Sequence, residues 1–227
     1  MFPDALGFLR LLQLADSALP IGAAAHSLGI ETLAAEAALD TGQLPAFLRA
    51  WLEEAGTLEA SWCLQAAAIF DTGETTGTAP WIDLNRTIAA TKPARESRAA
   101  SAVLGRRFLD LACGLSGNSL LNDFSRAAGD IHLAAAFGAT GRALAIGPAT
   151  AAAAYLHQSV AGLVAAFQKL LPLGQRQASR ILWDLNPTIL ASIERAAAPP
   201  TRAACFLPAI EIASMRHPWL STRLFVS

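Results

Sequence analysis

The sequence predicts an all-α protein built as one compact domain, residues 1–227, of about eight to ten helices. Three observations predict it. Apolar residues recur at three- and four-residue steps along most of the chain, and alternating runs of Val, Ile and Thr are absent. Alanine fills 50 of the 227 positions, supplying small side chains that let helix backbones approach closely. Hydrophobic residues make up 53% and charged residues 15%, against about 25% charged in ordinary soluble domains. Such a chain can bury enough apolar surface to offset ordering entropy, which excludes disorder.

Along the chain, Leu48, Trp51, Leu52, Ala55, Leu58 and Trp62 form the first clear apolar stripe. Leu104, Phe108, Leu111 and Leu115 form a second, and Leu163, Phe167, Leu170 and Leu171 a third. Ile181, Leu185, Ile189 and Ile193 make a fourth, interrupted by Pro187, which predicts a kink or a division of that helix. Breaks fall at Pro20-Ile21-Gly22, Thr41-Gly42, Thr72–Pro80, Lys92-Pro93, Gly114–Asn118, Gly147-Pro148, Pro172–Gly174 and Pro199-Pro200. Pro93 and Pro148 are placed as first helical residues. The Thr72–Pro80 stretch is the one polar, Gly/Thr-rich spacer and could mark a domain boundary. A single domain fits better, because the part before it has too few apolar residues for a core of its own. No solenoid-period repeat is present.

Net charge is −1, but it is unevenly distributed. Residues 1–83 carry eleven acids and two bases, Arg10 and Arg49, and residues 84–227 carry seven acids and fifteen bases. Either the two parts face each other within one fold, or each presents a patch of its own sign to a different partner. The bases are dispersed, without a basic run or interleaved aromatics, so nucleic acid is not an expected partner. Cys63, Cys113 and Cys205 are odd in number and far apart, as expected of buried thiols in a reducing compartment. No signal peptide is visible at the N-terminus, where Asp4 and no basic region precede the apolar residues. The uncharged run Ala143–Gln168 is long enough to span a bilayer. Gly147-Pro148 breaks it, His157-Gln158-Ser159 sits in its middle, and Ala dominates it, so a buried central helix is expected rather than a membrane span. The expected location is the cytoplasm.

Motifs of catalysis are missing. His26, His132, His157 and His217 have no Cys, His or carboxylate at metal-site spacing, and CxxC, HExxH and phosphate-binding glycine loops are absent. Ser116 lacks the Gly-x-Ser-x-Gly frame of a nucleophile elbow. The expectation is therefore no enzyme and no metal site in the chain itself.

Polar detail concentrates instead on three short segments. The first runs from Leu12 to Glu31: Asp16 and Ser17 end a helix, Pro20 and Gly22 shape a turn, and His26-Ser27 precede the next helix. Ser27 could cap that helix, with Glu31 completing a capping box or standing as an exposed acidic contact. The second is the corner Lys169-Leu170-Leu171-Pro172-Leu173-Gly174-Gln175, with Lys169 near a helix C-terminus where a cation suits the dipole. The third is the carboxyl end, Arg216-His217 and then Thr222 to Ser227, whose Trp219, Leu220, Leu224 and Phe225 either pack back on the core or form an apolar arm for a partner.

These segments together resemble the urease accessory protein UreF family. Its members open with Leu-Gln-Leu-x-Asp-Ser-x-Leu-Pro-Ile-Gly-Gly-x-x-His-Ser-x-Gly-Leu-Glu, matched here from Leu12 to Glu31 with Ala23 for the second turn glycine and Ile30 for Leu. The Leu-x-Pro-x-Gly-Gln corner corresponds to Leu171 with Pro172, Gly174 and Gln175, and the family's terminus is kept as Arg223-Leu224-Phe225 and Ser227, with Thr222 for the usual Ser. A fourth match lies in Ala94–Ser101 with Gly105-Arg106-Arg107.

The resemblance implies a dimeric, non-enzymatic scaffold and checkpoint that joins a strand-rich accessory protein (UreD, also called UreH) to a nickel-carrying GTPase (UreG) for nickel insertion into apo-urease. No cofactor is bound tightly; the complex handles the nickel. Glu31 and Lys169 would face the GTPase, supported by Asp16, Ser17, Pro20, Gly22, His26 and Ser27. The segment 206–227 would contact UreD/UreH through Arg216, His217, Arg223, Leu224, Phe225 and Ser227. Together with residues 1–31 it forms the partner-contacting part of the chain, while Pro172, Gly174 and Gln175 form a structural corner. Two other readings remain: an all-helical enzyme binding an apolar ligand between helices near His132 and His157, and a membrane helix pair within Ile131–Leu171.

Overall fold

A computed structural model describes residues 5–198 and 205–226. Eleven α-helical segments are present among them: α1 Ala5–Leu14, α2 Ile30–Ala35, α3 Leu44–Trp51, α4 Thr57–Thr76, α5 Ala79–Thr91, α6 Arg95–Ser116, α7 Ser119–Ala127, α8 Leu133–Ala143, α9 Pro148–Leu170, α10 Gln175–Ala197 and α11 Pro208–Arg216. A π-helical turn, Leu52–Gly56, joins α3 to α4 without a break, so the segments make ten separate rods. The Leu52 carbonyl in that turn is reached by the Ser192 hydroxyl of α10 at 2.8 Å. A buried side-chain donor thus reaches the backbone of the irregular turn.

The core centres on α4, α8 and α9, flanked by α6 and α10. Ala134, Ala135, Ala136 and Ala139 of α8 are fully buried. A side-chain carbon on Gly138 would come within 2.0 Å of the Cys63 carbonyl oxygen, so only glycine permits α8 and α4 to cross this closely. Phe108 and Phe137 stack beside this crossing with centroids 4.6 Å apart. The uncharged run becomes α9, entered through Gly147 and Pro148 and buried along Tyr155, Leu156, Val160, Leu163 and Phe167. Among the described residues no helix is long and apolar enough to cross a membrane.

Several local expectations are revised. Thr72–Pro80 is not a loop: α4 continues to Thr76 and α5 begins at Ala79, leaving Gly77 (φ 69°) and Thr78 as the turn. Thr72, Thr75 and Thr76 hydroxyls bond carbonyls in the preceding turn of α4, which lets this polar stretch stay helical. Pro187 does not divide α10, which runs unbroken to Ala197. The carbonyl that its missing N–H leaves free belongs to Trp183, whose side is 73% exposed and open to water. Pro93 precedes α6 by two residues rather than opening it. The Pro199-Pro200 break lies outside the described residues.

The charge asymmetry is met within the fold. Glu59 pairs with Lys92, Asp71 with Arg142, and Glu36 with Arg216, each joining the acidic first part to the basic second part.

Candidate functional site: a turn, a lysine and the carboxyl tail

The three segments singled out in the sequence come together on one side of the molecule. After α1, the Asp16 carboxylate accepts the Ala18 N–H at 2.8 Å, and the Asp16 carbonyl accepts the Gln158 amide of α9 at 3.3 Å. The chain turns through exposed Ser17 and Pro20, buries Ile21, and reaches Gly22 at φ 88°. The Arg107 guanidinium of α6 donates to the Ile21 carbonyl at 3.1 Å, and a side-chain carbon on Gly22 would lie 2.7 Å from it. Ala23 opens the short 3-10 turn Ala23–Ala25 and has no positive φ, so the alanine at this position is accommodated.

Glu31 is buried, which excludes an exposed acidic contact, and α2 is entered through Gly29 with no side-chain cap. Its carboxylate instead accepts the His217 Nε2–H at 2.7 Å and the backbone N–H groups of Leu224 at 2.5 Å and Phe225 at 3.2 Å. The Nδ1 atom of the buried His217 has no partner. The Val226 N–H closes the tail onto the Ala25 carbonyl at 2.8 Å. Three donors from one tail segment thus converge on one carboxylate, the charge-assisted kind of hydrogen bond that counts most in a protected site.

Lys169, exposed in the last turn of α9, donates to the Ala24 carbonyl at 3.3 Å and lies 5.2 Å from the centre of the Phe225 ring. The corner after it is held by the Gln168 amide on the Leu173 carbonyl at 3.2 Å, with Pro172 and Gly174 leading to Gln175 at the start of α10. Phe225 is buried, whereas Leu224 is 64% and Trp219 80% exposed. The tail therefore both packs back and presents apolar side chains outward. Arg216 pairs with Glu36 at 3.1 Å; Arg223 is exposed and forms no ion pair among the described residues. His26 and Ser27 sit in the turn beside α2, half-buried and buried respectively; Ser227 lies outside the described residues.

Sequence reasoning missed the interior beneath this surface. Glu59 on α4 pairs with Lys92 and accepts the Tyr155 hydroxyl at 2.7 Å, while Lys92 also faces the Trp62 ring at 5.0 Å. Burial and the neighbouring Glu59 push the Tyr155 hydroxyl well above its ordinary range. The fourth match is structural as well: Arg106 donates to the Ser125, Ala128 and Gly129 carbonyls, and the Ala94 N–H reaches Glu211 at 3.2 Å. The only sequence signal for this set was charge placed beside apolar stripes. His132 is fully buried, its Nδ1 3.1 Å from the Ser101 hydroxyl, and burial with the Lys92 charge lowers its pKa to about 4. His157 is exposed on α9, so the two histidines suggested for a ligand site do not meet. Among the described residues no three His, Cys, Asp or Glu side chains converge as for a metal.

A family model described as UreF matches residues 38–186. The chain belongs to the UreF family. A protein named urease accessory protein UreF from a Nostoc species is 34% identical over 97% of this chain and 96% of its own. One of the same name from Trichormus variabilis is 32% identical over 97% and 96%, and one from an Arthrobacter species 30% over 96% and 96%. The UreF model covers the helical core from α3 into α10, and the alignments with these relatives span nearly the whole chain.

Proposed function

We propose that this chain is a non-enzymatic scaffold and checkpoint in urease maturation. In this reading it joins the nickel-carrying GTPase UreG to the strand-rich accessory protein UreD/UreH, and the assembly delivers nickel to apo-urease. The chain acts in the cytoplasm as a homodimer and holds no metal tightly itself; nickel is carried by the complex. The family membership supports the maturation role. The observation that carries the scaffold reading is the convergence of the Asp16–Glu31 turn, Lys169 and the tail on one face.

On that face the residues divide by what they do. Lys169 offers an exposed cation to the GTPase, while Glu31 acts indirectly, by holding the tail against the turn. Leu224, Trp219 and Val226, all outward, are the apolar anchors for UreD/UreH, with Arg223 free to meet a carboxylate. Trp183 and Leu190, exposed two turns apart on α10, offer a separate apolar strip for the dimer.

Tagged co-purification with both partners, with mass read by light scattering, tests the reading. A stoichiometric assembly is expected, and Leu224→Asp should lose UreD/UreH while keeping its helical content. A wild-type chain that stays alone at dimer mass contradicts the proposal.

A further inference from the structure

We infer that α10 pairs with α10 of a second copy of this chain, antiparallel, across a two-fold axis beside Pro187. The inference deepens the homodimer reading above and rests on it. Helix α10 buries Ala178, Ile181, Leu185, Ile189 and Ile193. On the opposite side Arg176, Arg180, Trp183, Pro187, Leu190 and Glu194 are all exposed. At about 100° per residue these six fall within roughly 40° of one line along the helix. Trp183 is 73% and Leu190 57% exposed, with the Pro187 ring between them, so the middle of the stripe is a contiguous apolar surface left in water.

The order of side chains along the stripe says what covers it. Two cations come first, then an indole, a proline ring and a leucine, and a carboxylate comes last. Arg180 lies seven residues before Pro187 and Glu194 seven after it, while Trp183 lies four before and Leu190 three after. An antiparallel copy centred on Pro187 therefore sets Arg180 against the partner's Glu194. The same register sets Trp183 against the partner's Leu190, and two-fold symmetry makes each contact twice. A parallel copy would oppose like charges at both ends. A crossing angle near about 20° keeps the whole stripe in contact. The charges within α10 leave this pairing open. Arg180 meets Asp184 at 2.9 Å, but the two side chains are 75% and 50% exposed, so that pair contributes little. Glu194 forms no ion pair among the described residues, and its neighbour Arg195 donates to the Ser192 hydroxyl at 3.1 Å.

Light scattering of the full chain over a concentration series tests the pairing, and wild type should be dimeric. Arg180→Glu and Glu194→Arg each oppose like charges twice and should each weaken dimerisation at least about tenfold. Mixed in equal amounts, the two variants should form dimers holding one chain of each kind, read by native mass spectrometry. Trp183→Glu should weaken the dimer as well, and circular dichroism should show unchanged helical content in all three. Dimers that persist undiminished in the three variants would overturn the α10 pairing and leave the homodimer reading standing. A wild type that is monomeric at every concentration would overturn both. Failure of the two charge variants to form mixed dimers would overturn the pairing, because no other occupant is restored by that exchange. Loss of UreD/UreH on co-purification with Trp183→Glu, its dimer intact, would give the stripe to that partner and overturn the pairing too.

Discussion

Two buried glutamates show how differently the two regions of this molecule handle charge. Glu59 sits among α4, α9 and the segment before α6, and its partners Lys92 and Tyr155 are side chains on rigid, mutually packed elements. Glu31 sits at the start of α2, and its partners all come from one chain-terminal segment, two of them backbone N–H groups. Removing water from Glu59 is a property of the whole core. Removing it from Glu31 depends on the tail staying in place, so the second arrangement can open locally while the first opens only with global unfolding.

The largest effect should come from breaking the interior pair. Glu59→Ala leaves Lys92 without its counter-charge in a largely buried setting and should cost about 4 kcal/mol in denaturant unfolding. Glu59→Met with Lys92→Met should recover most of it, which separates the pair from the space it fills.

Next comes an acid effect at His132. Because its pKa is lowered to about 4 in the folded chain from an ordinary 6.5, the unfolded state binds more protons between those values. The stabilisation is complete above pH 6.5 and is lost as pH falls toward 4, by roughly 3 kcal/mol at full titration. His132→Gln should flatten the unfolding free energy over that window; a slope unchanged by the substitution would assign the acid loss elsewhere.

Glu31→Gln sharpens the comparison from the other side. It should destabilise the docked tail by about 2 kcal/mol, read as faster hydrogen exchange at Leu224 and Phe225, with the exchange of α4 and α9 amides unchanged. The smallest effect is Gly22→Ala, about 1 kcal/mol for a left-handed alanine pressed on Arg107, measured as a modest fall in melting temperature.

Legibility in the sequence follows the same division. Helices read clearly where apolar periodicity is local, as in α4, α6, α9 and α10, and the buried nature of α9 follows from its alanines and its Gly147-Pro148 entry. Thr72–Pro80 misled because threonine and glycine favour turns in isolation, yet threonine hydroxyls folded back on the preceding carbonyls here. The residues of the candidate site were legible by type and by resemblance, but their pairing was not. Glu31 meets Leu224 and Phe225 across almost the whole chain, and no local pattern encodes so distant a contact. The Glu59, Lys92 and Tyr155 set was hidden for the same reason, its members lying far apart in the chain on α4, before α6 and on α9.

The central claim is the proposal that the face formed by the turn, Lys169 and the tail receives two partners, the GTPase at Lys169 and UreD/UreH at the tail. Lys169 is exposed, so Lys169→Glu reverses a surface charge at little cost to the core. Co-purification of this variant with the GTPase and UreD/UreH, beside wild type, tests the claim most directly. The account predicts loss of the GTPase from the assembly with UreD/UreH retained and the melting temperature essentially unchanged. Full, stoichiometric retention of the GTPase by Lys169→Glu would contradict it.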